Sequence, residues 1–108
     1  MIQADDSNIR ELIKLHAFTN KEKDLNFIDV SQVTNMESLF EDLDYSPDIS
    51  CWDVSKVTNM SFMFARSHFN SDISLWNVSN VKIMYCMFSN SQFNKDIFNK
   101  THIILKNI

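Results

Sequence analysis

Glycine is missing from this chain of 108 residues. Glycine enters left-handed backbone without steric cost and lets the main chain close around a phosphate, so a phosphate-cradling loop is excluded on backbone grounds. Proline occurs once, as Pro47, where it fixes φ in a turn. Cysteine occurs twice, as Cys51 and Cys86, and neither stands in a Cys-x-x-Cys or Cys-His spacing. That pattern predicts reduced packing or surface thiols, with neither a zinc site nor a disulfide framework. Basic residues are outnumbered, ten Lys and Arg against fourteen Asp and Glu, for a net charge of −4. Without a basic stripe, nucleic acid is not an expected partner. The apolar runs are only a few residues long, far from the roughly 20 needed to span a bilayer, so membrane insertion is not expected either.

Catalytic signatures are equally scarce. No G-x-S-x-G or H-E-x-x-H is present, and His16, His68 and His102 share no face with a second ligand-type residue. The expectation is a non-enzyme with no cofactor, no metal and no catalytic residue. The start "MIQADDSNIRELIK" lacks a basic, then apolar, then small-residue leader. Read alone, it points to the cytoplasm unless an export signal has been trimmed.

What the chain does have is a period. "DVSQVTNMESLFEDLDYSPDISCW" (29–52), "DVSKVTNMSFMFARSHFNSDISLW" (53–76) and "NVSNVKIMYCMFSNSQFNKDIFNK" (77–100) align without gaps, the first pair agreeing at half its positions. A fixed period in this range predicts a solenoid of stacked units. "LNFIDV", "ISCWDV" and "ISLWNV" each read L-x-x-L-x-L, which predicts a strand with Ile28/Val30, Trp52/Val54 and Trp76/Val78 inward and Leu25, Ile49 and Ile73 entering the core just before it. Val57, Met60, Met63 and Phe64 fall at i, i+3, i+6 and i+7, as do Val33, Met36, Leu39, Phe40 and Val81, Met84, Met87, Phe88. Those spacings predict a short helix in every unit.

The predicted fold class is therefore α/β: a leucine-rich-repeat-like solenoid of about three 24-residue strand–helix repeats with an N-terminal helical cap. It is expected as one domain over 1–108, with the cap over 1–24, the repeats over 25–98 and a C-terminal cap over 99–108. In the first cap Ile9, Leu12, Ile13 and His16 share a helical face, and Asp5, Asp6 or Ser7 caps it. In the second, Lys100 replaces the phase-equivalent Trp, and the Ile103–Leu105 run is expected as a terminal strand that either covers the last rung or leaves an exposed edge for a homodimer contact or as a truncation scar. Asp24, Asp48, Asp72 and Asp96 recur at one phase, and each is expected to accept backbone N–H bonds in its own turn, with a Ca²⁺ ladder as the sharper alternative.

The unit "DVSKVTNMSFMFARSHFNSDISLW" resembles the repeat of bacterial BspA-family leucine-rich-repeat surface proteins, also described as a mycoplasma lipoprotein-associated domain of unknown function. The likeness covers residues 25 to about 98. It implies a repeat scaffold, in many relatives exported and displayed at the cell surface, where it serves adhesion and binds host proteins. Those relatives often carry glycine in their turns, and this chain carries none.

Function is expected in the positions that vary while the scaffold recurs. On the strand face these are Phe27, Asp29 and Ser31, then Cys51, Asp53 and Ser55, then Leu75, Asn77 and Ser79, an apolar stripe beside an acidic and polar one. On the helix face Phe62 stands in the phase of Ser38 and Cys86, with Arg66 and Tyr85 beside it. The residues expected to touch a partner are Asp29, Cys51, Asp53, Ser55, Phe62, Leu75, Asn77 and Tyr85. The expected role is a non-catalytic protein–protein interaction module with a protein partner of unstated identity. The competing settings are a surface adhesion fragment and a small cytoplasmic antidote that binds a toxin.

Overall fold

Asp5 sets the start of the first helix. Its Oδ1 accepts the N–H groups of Ser7 at 2.9 Å and Asn8 at 3.2 Å, while the Asn8 side chain reaches back to accept the Asp5 N–H at 2.8 Å. This reciprocal pair satisfies donors that the first turn would leave orphaned. It leads into helix α1, Ile9–Thr19. Ile9 and Ile13 are buried on one face, as the spacing predicts, and the His16 ring meets Phe27 edge-on at 4.7 Å. Of the three possible caps the chain uses Asp5, and Asp6 instead accepts the N–H groups of Thr34 at 2.8 Å and Asn35 at 3.2 Å. Cap and first turn are thereby tied together.

A computed structural model describes residues 1–19 and 23–94. The predicted C-terminal cap over 99–108, with Lys100, His102 and the Ile103–Leu105 edge, lies outside the described residues, as does Asp96. Strand β1 (Ile2–Gln3) pairs in parallel with β2 (Ile28–Asp29), in the register Ile2 to Ile28 and Gln3 to Asp29. The pairing extends through Ala4 N–H, which donates to the Asp29 carbonyl at 2.9 Å. Two residues are too few for a periodic signal, and the sequence offers no hint of β1.

The expected solenoid of strand–helix units is not the fold. The described residues form a compact globule with one helix and two short parallel strands, with a radius of gyration of 12.7 Å, close to the ~13 Å of an ordinary compact domain of 100 residues. Where helices were expected, at 33–40, 57–64 and 81–88, the chain makes successive tight turns. The physical reason is visible in the backbone. Ser38, Phe62 and Cys86 have φ of 59°, 57° and 52°, and Asp42, Arg66 and Asn90 have 63°, 52° and 54°. A left-handed residue every fourth position forbids a right-handed helix.

The N–H groups therefore turn sideways instead of along an axis. Met36, Ser38, Phe40 and Asp42 donate to the carbonyls of Asn59, Ser61, Met63 and Ala65, each at 2.9 Å. Met60, Phe62, Phe64 and Arg66 donate in the same manner to Ile83, Tyr85, Met87 and Ser89 at 2.8–2.9 Å. Two of the supposed strands are turns as well: Trp52 and Trp76 donate to the carbonyls of Ile49 and Ile73 at 3.1–3.2 Å, whereas Ile28, which donates to the Leu25 carbonyl at 3.1 Å, goes on into the two-residue strand β2. An L-x-x-L spacing fits a three-residue turn as well as it fits the approach to a strand.

The apolar positions themselves lie where the pattern puts them. Val30, Val33, Met36, Phe40, Val54, Val57, Met60, Met63, Phe64, Val78, Val81, Met84 and Met87 belong to one core. Phe40, Phe64 and Phe88 stack at 5.8 and 5.5 Å between centroids with planes within 6° of parallel. The buried indoles of Trp52 and Trp76 donate to the Leu25 and Ile49 carbonyls at 2.9 and 3.0 Å. Each indole thus fills core volume and satisfies an acceptor sealed from water.

Trp76→Phe should lower stability by about 2 kcal/mol in urea unfolding, since volume is lost and the Ile49 carbonyl loses a donor. At the exposed left-handed Cys86, a β-branched side chain is the worst occupant and none at all is the best. Cys86→Val should cost about 1–2 kcal/mol, whereas Cys86→Gly should match or exceed the parent in thermal unfolding.

Candidate functional site

Three columns of side-chain-capped turns run through the described residues, and they absorb most of the acidic groups singled out by the sequence. Asp5, Asp29, Asp53 and Asn77 each accept the N–H two residues on, from Ser7, Ser31, Ser55 and Ser79, at 2.9–3.1 Å. Asp24, Asp48 and Asp72 do the same for Asn26, Ser50 and Ser74 at 2.8–3.0 Å. Asn35 and Asn59 serve Glu37 and Ser61. A short acceptor that folds back onto the chain two residues on is what stabilises an isolated turn. The Asp24/Asp48/Asp72 carboxylates thus have the turn-holding role, and no group of three His, Cys, Asp or Glu among the described residues is arranged to hold a metal ion.

Electrostatics follow from these bonds. The Ser55 hydroxyl and N–H hold Asp53 below the ordinary carboxylate value of 3.8, the Ser31 N–H does the same for Asp29, and the Ser50 N–H for Asp48. Asp42 is lowered by the Arg66 guanidinium, whose Nε lies 2.8 Å from Oδ1. The same guanidinium reaches Glu41 Oε2 at 2.6 Å. Arg66 is therefore engaged with carboxylates and is not a spare contact beside Phe62.

The expected contact residues separate into two groups. Asp29, Asp53, Ser55 and Asn77 sit in one turn column; Phe27 is half-buried, Cys51 exposed, and Leu75 is 85% exposed in the neighbouring phase. Cys51 and Cys86 carry unpaired, exposed thiols. Phe62 and Tyr85 lie on adjacent turns joined by the Phe62 N–H to Tyr85 carbonyl bond at 2.8 Å. Phe62 is 37% exposed and Tyr85 66%. The structure adds a residue to which the sequence pattern had not pointed: Ile83, 41% exposed, whose carbonyl takes the Met60 N–H at 2.8 Å. Its signal was a departure, since the other residues of its phase are Asn35 and Asn59. Lys82, Ile83, Met84 and Tyr85 line a shallow hollow of about 250 Å³ there.

No helix among the described residues is long and apolar enough to cross a membrane. Fold and surface together define a small domain of capped turns carrying an exposed apolar patch. The chain belongs to the family described as Mycoplasma protein of unknown function, DUF285, whose model matches residues 8–105. Comparisons with curated proteins and with solved structures found no match. The mycoplasma half of the resemblance read from the repeat stands. Nothing in the comparisons supports the BspA or leucine-rich-repeat half.

Because the folded Asp values lie below 3.8, these carboxylates contribute full stability above about pH 4 and lose it as pH falls through the lowered values. The thermal midpoint should thus decline below about pH 4. An Asp48→Asn/Asp53→Asn variant keeps both turn acceptors, as Asn77 does naturally, and should show a shallower decline. Asp53→Ala removes the acceptor and should cost about 0.5–1 kcal/mol at neutral pH.

Proposed function

We propose that this chain is a non-catalytic protein-binding module that meets its partner through Phe62, Ile83 and Tyr85. The observation carrying the reading is that three large apolar side chains are exposed together on turns joined backbone to backbone. At the phases of Ile83 and Tyr85 the rest of the chain carries Asn35 and Asn59, then Glu37 and Ser61. The scaffold is thus compatible with polar residues there, and exposing Ile and Tyr gains nothing in folding. Tyr is enriched among the side chains that dominate binding energy, and clustered exposed apolar area marks contact surfaces.

The non-catalytic part of the proposal rests on what the acidic groups do. General acid–base chemistry uses a carboxyl raised toward neutrality, whereas Asp5, Asp29, Asp48 and Asp53 are lowered and accept turn N–H groups. In this reading Asp29, Asp53, Ser55 and Asn77 shape the turns, and Cys51 and Leu75 form a second, smaller apolar strip. A cell-surface role, as the resemblance implies, and a toxin-antidote role in the cytoplasm remain the two settings for such a module.

A photo-crosslinking residue at Tyr85 and, as a control, at exposed Lys56 separates a patch from general stickiness. Position 85 should give a discrete crosslinked protein in extracts of the source cells, and position 56 should not. Ile83→Ser should abolish that product without changing the thermal midpoint. Equal labelling from both positions, or labelling from 85 that survives Ile83→Ser, would contradict the proposal.

A further inference from the structure

A second concavity lies between α1 and the turns at 38–45. It measures about 300 Å³, the lower end of the range for small-molecule sites. Ile13, Leu39 and Leu43 give it apolar walls, and Arg10 and Lys14, four residues apart on α1, line it with cationic side chains. Glu41 also lines it, but its Oε2 is held by Arg66 at 2.6 Å. Arg10 donates one N–H to the Glu37 carbonyl, and a guanidinium has five. Lys14 Nζ also lies 3.8 Å from Glu11 Oε1, both side chains being largely exposed.

Tyr45 forms the remaining wall, and its hydroxyl is buried with no hydrogen-bond partner. Such a group costs stability and calls for a reason. Packing does not supply one, because Phe69 and Phe93 stand at the same phase of the period, and Phe69 is fully buried. A phenylalanine at 45 would plug the core without the penalty. Burial, and then the Asp44 charge, pushes the phenol above its ordinary value of 10.0, so it is a neutral donor.

We propose that this cleft binds a small amphipathic monocarboxylate. Its apolar body of roughly ten carbons would fill the space at the ~30 Å³ that a water-sized unit occupies, with the carboxylate held by Arg10 and Lys14. Seating it requires the Tyr45 ring to turn into the cleft, where the hydroxyl donates to the carboxylate and gains the bond it lacks. The site is independent of the Phe62–Ile83–Tyr85 patch.

The test is titration of the ¹⁵N-labelled full chain with octanoate, octylamine and octanol, monitored by amide shifts. Octanoate should shift Arg10, Ile13, Leu39, Leu43 and Tyr45 saturably, and octylamine should not. Arg10→Gln/Lys14→Gln, at exposed positions that leave the core intact, should weaken octanoate about tenfold. Tyr45→Phe should raise the thermal midpoint while weakening octanoate several-fold, a pairing that a purely structural tyrosine would not show. The proposal is overturned by unsaturable shifts at these amides, by an equal response to octylamine or octanol, or by undiminished octanoate binding in either variant.

Discussion

Sideways backbone bonding is the interaction on which the rest of this molecule depends. Eight N–H groups, from Met36 to Asp42 and from Met60 to Arg66 at alternate positions, donate to carbonyls 23 residues further on. Each bond is worth little net, but each also removes the cost of an unpaired buried group. Once neighbouring turns are joined, Phe40, Phe64 and Phe88 are brought into one stack and the Trp indoles reach the carbonyls of Leu25 and Ile49. The capped turns then hold the exposed ends of the same segments. Left-handed φ at six non-glycine positions of these segments, Ser38, Asp42, Phe62, Arg66, Cys86 and Asn90, is the conformational cost of turning the donors sideways.

That cost explains where the sequence is legible and where it misleads. The core is legible: spacings of three and four select Val33, Met36 and Phe40, then Val57, Met60 and Phe64, and these are buried. The conformation that buries them is not, since the same spacings serve a helix and a run of three- and four-residue turns. Intrinsic preference would have ruled out left-handed Phe62 and Arg66, and only the lateral bonds override it. Short pairings such as Ile2–Gln3 with Ile28–Asp29 carry no periodic trace at all.

The surface obeys a different rule. Phe62 is singled out because it departs from its phase-mates Ser38 and Cys86, and the same comparison, carried further, finds Ile83 against Asn35 and Asn59, Tyr85 against Glu37 and Ser61, and Tyr45 against Phe69 and Phe93. The acidic stripe at Asp29 and Asp53 is read among the varying positions, yet Asp stands in both units with Asn77 in the third, and both carboxylates are turn acceptors. In a chain built from similar units, repeated letters describe the scaffold, and the exceptions are where the proposed contacts lie.

The central claim, that these segments bond sideways in turns, is open to one direct measurement. Scalar couplings across hydrogen bonds, read by nuclear magnetic resonance, report which carbonyl each amide bonds. They should link the Phe62 amide to the Tyr85 carbonyl and the Phe64 amide to the Met87 carbonyl. Couplings from those amides to carbonyls four residues earlier would restore the helices and contradict the account.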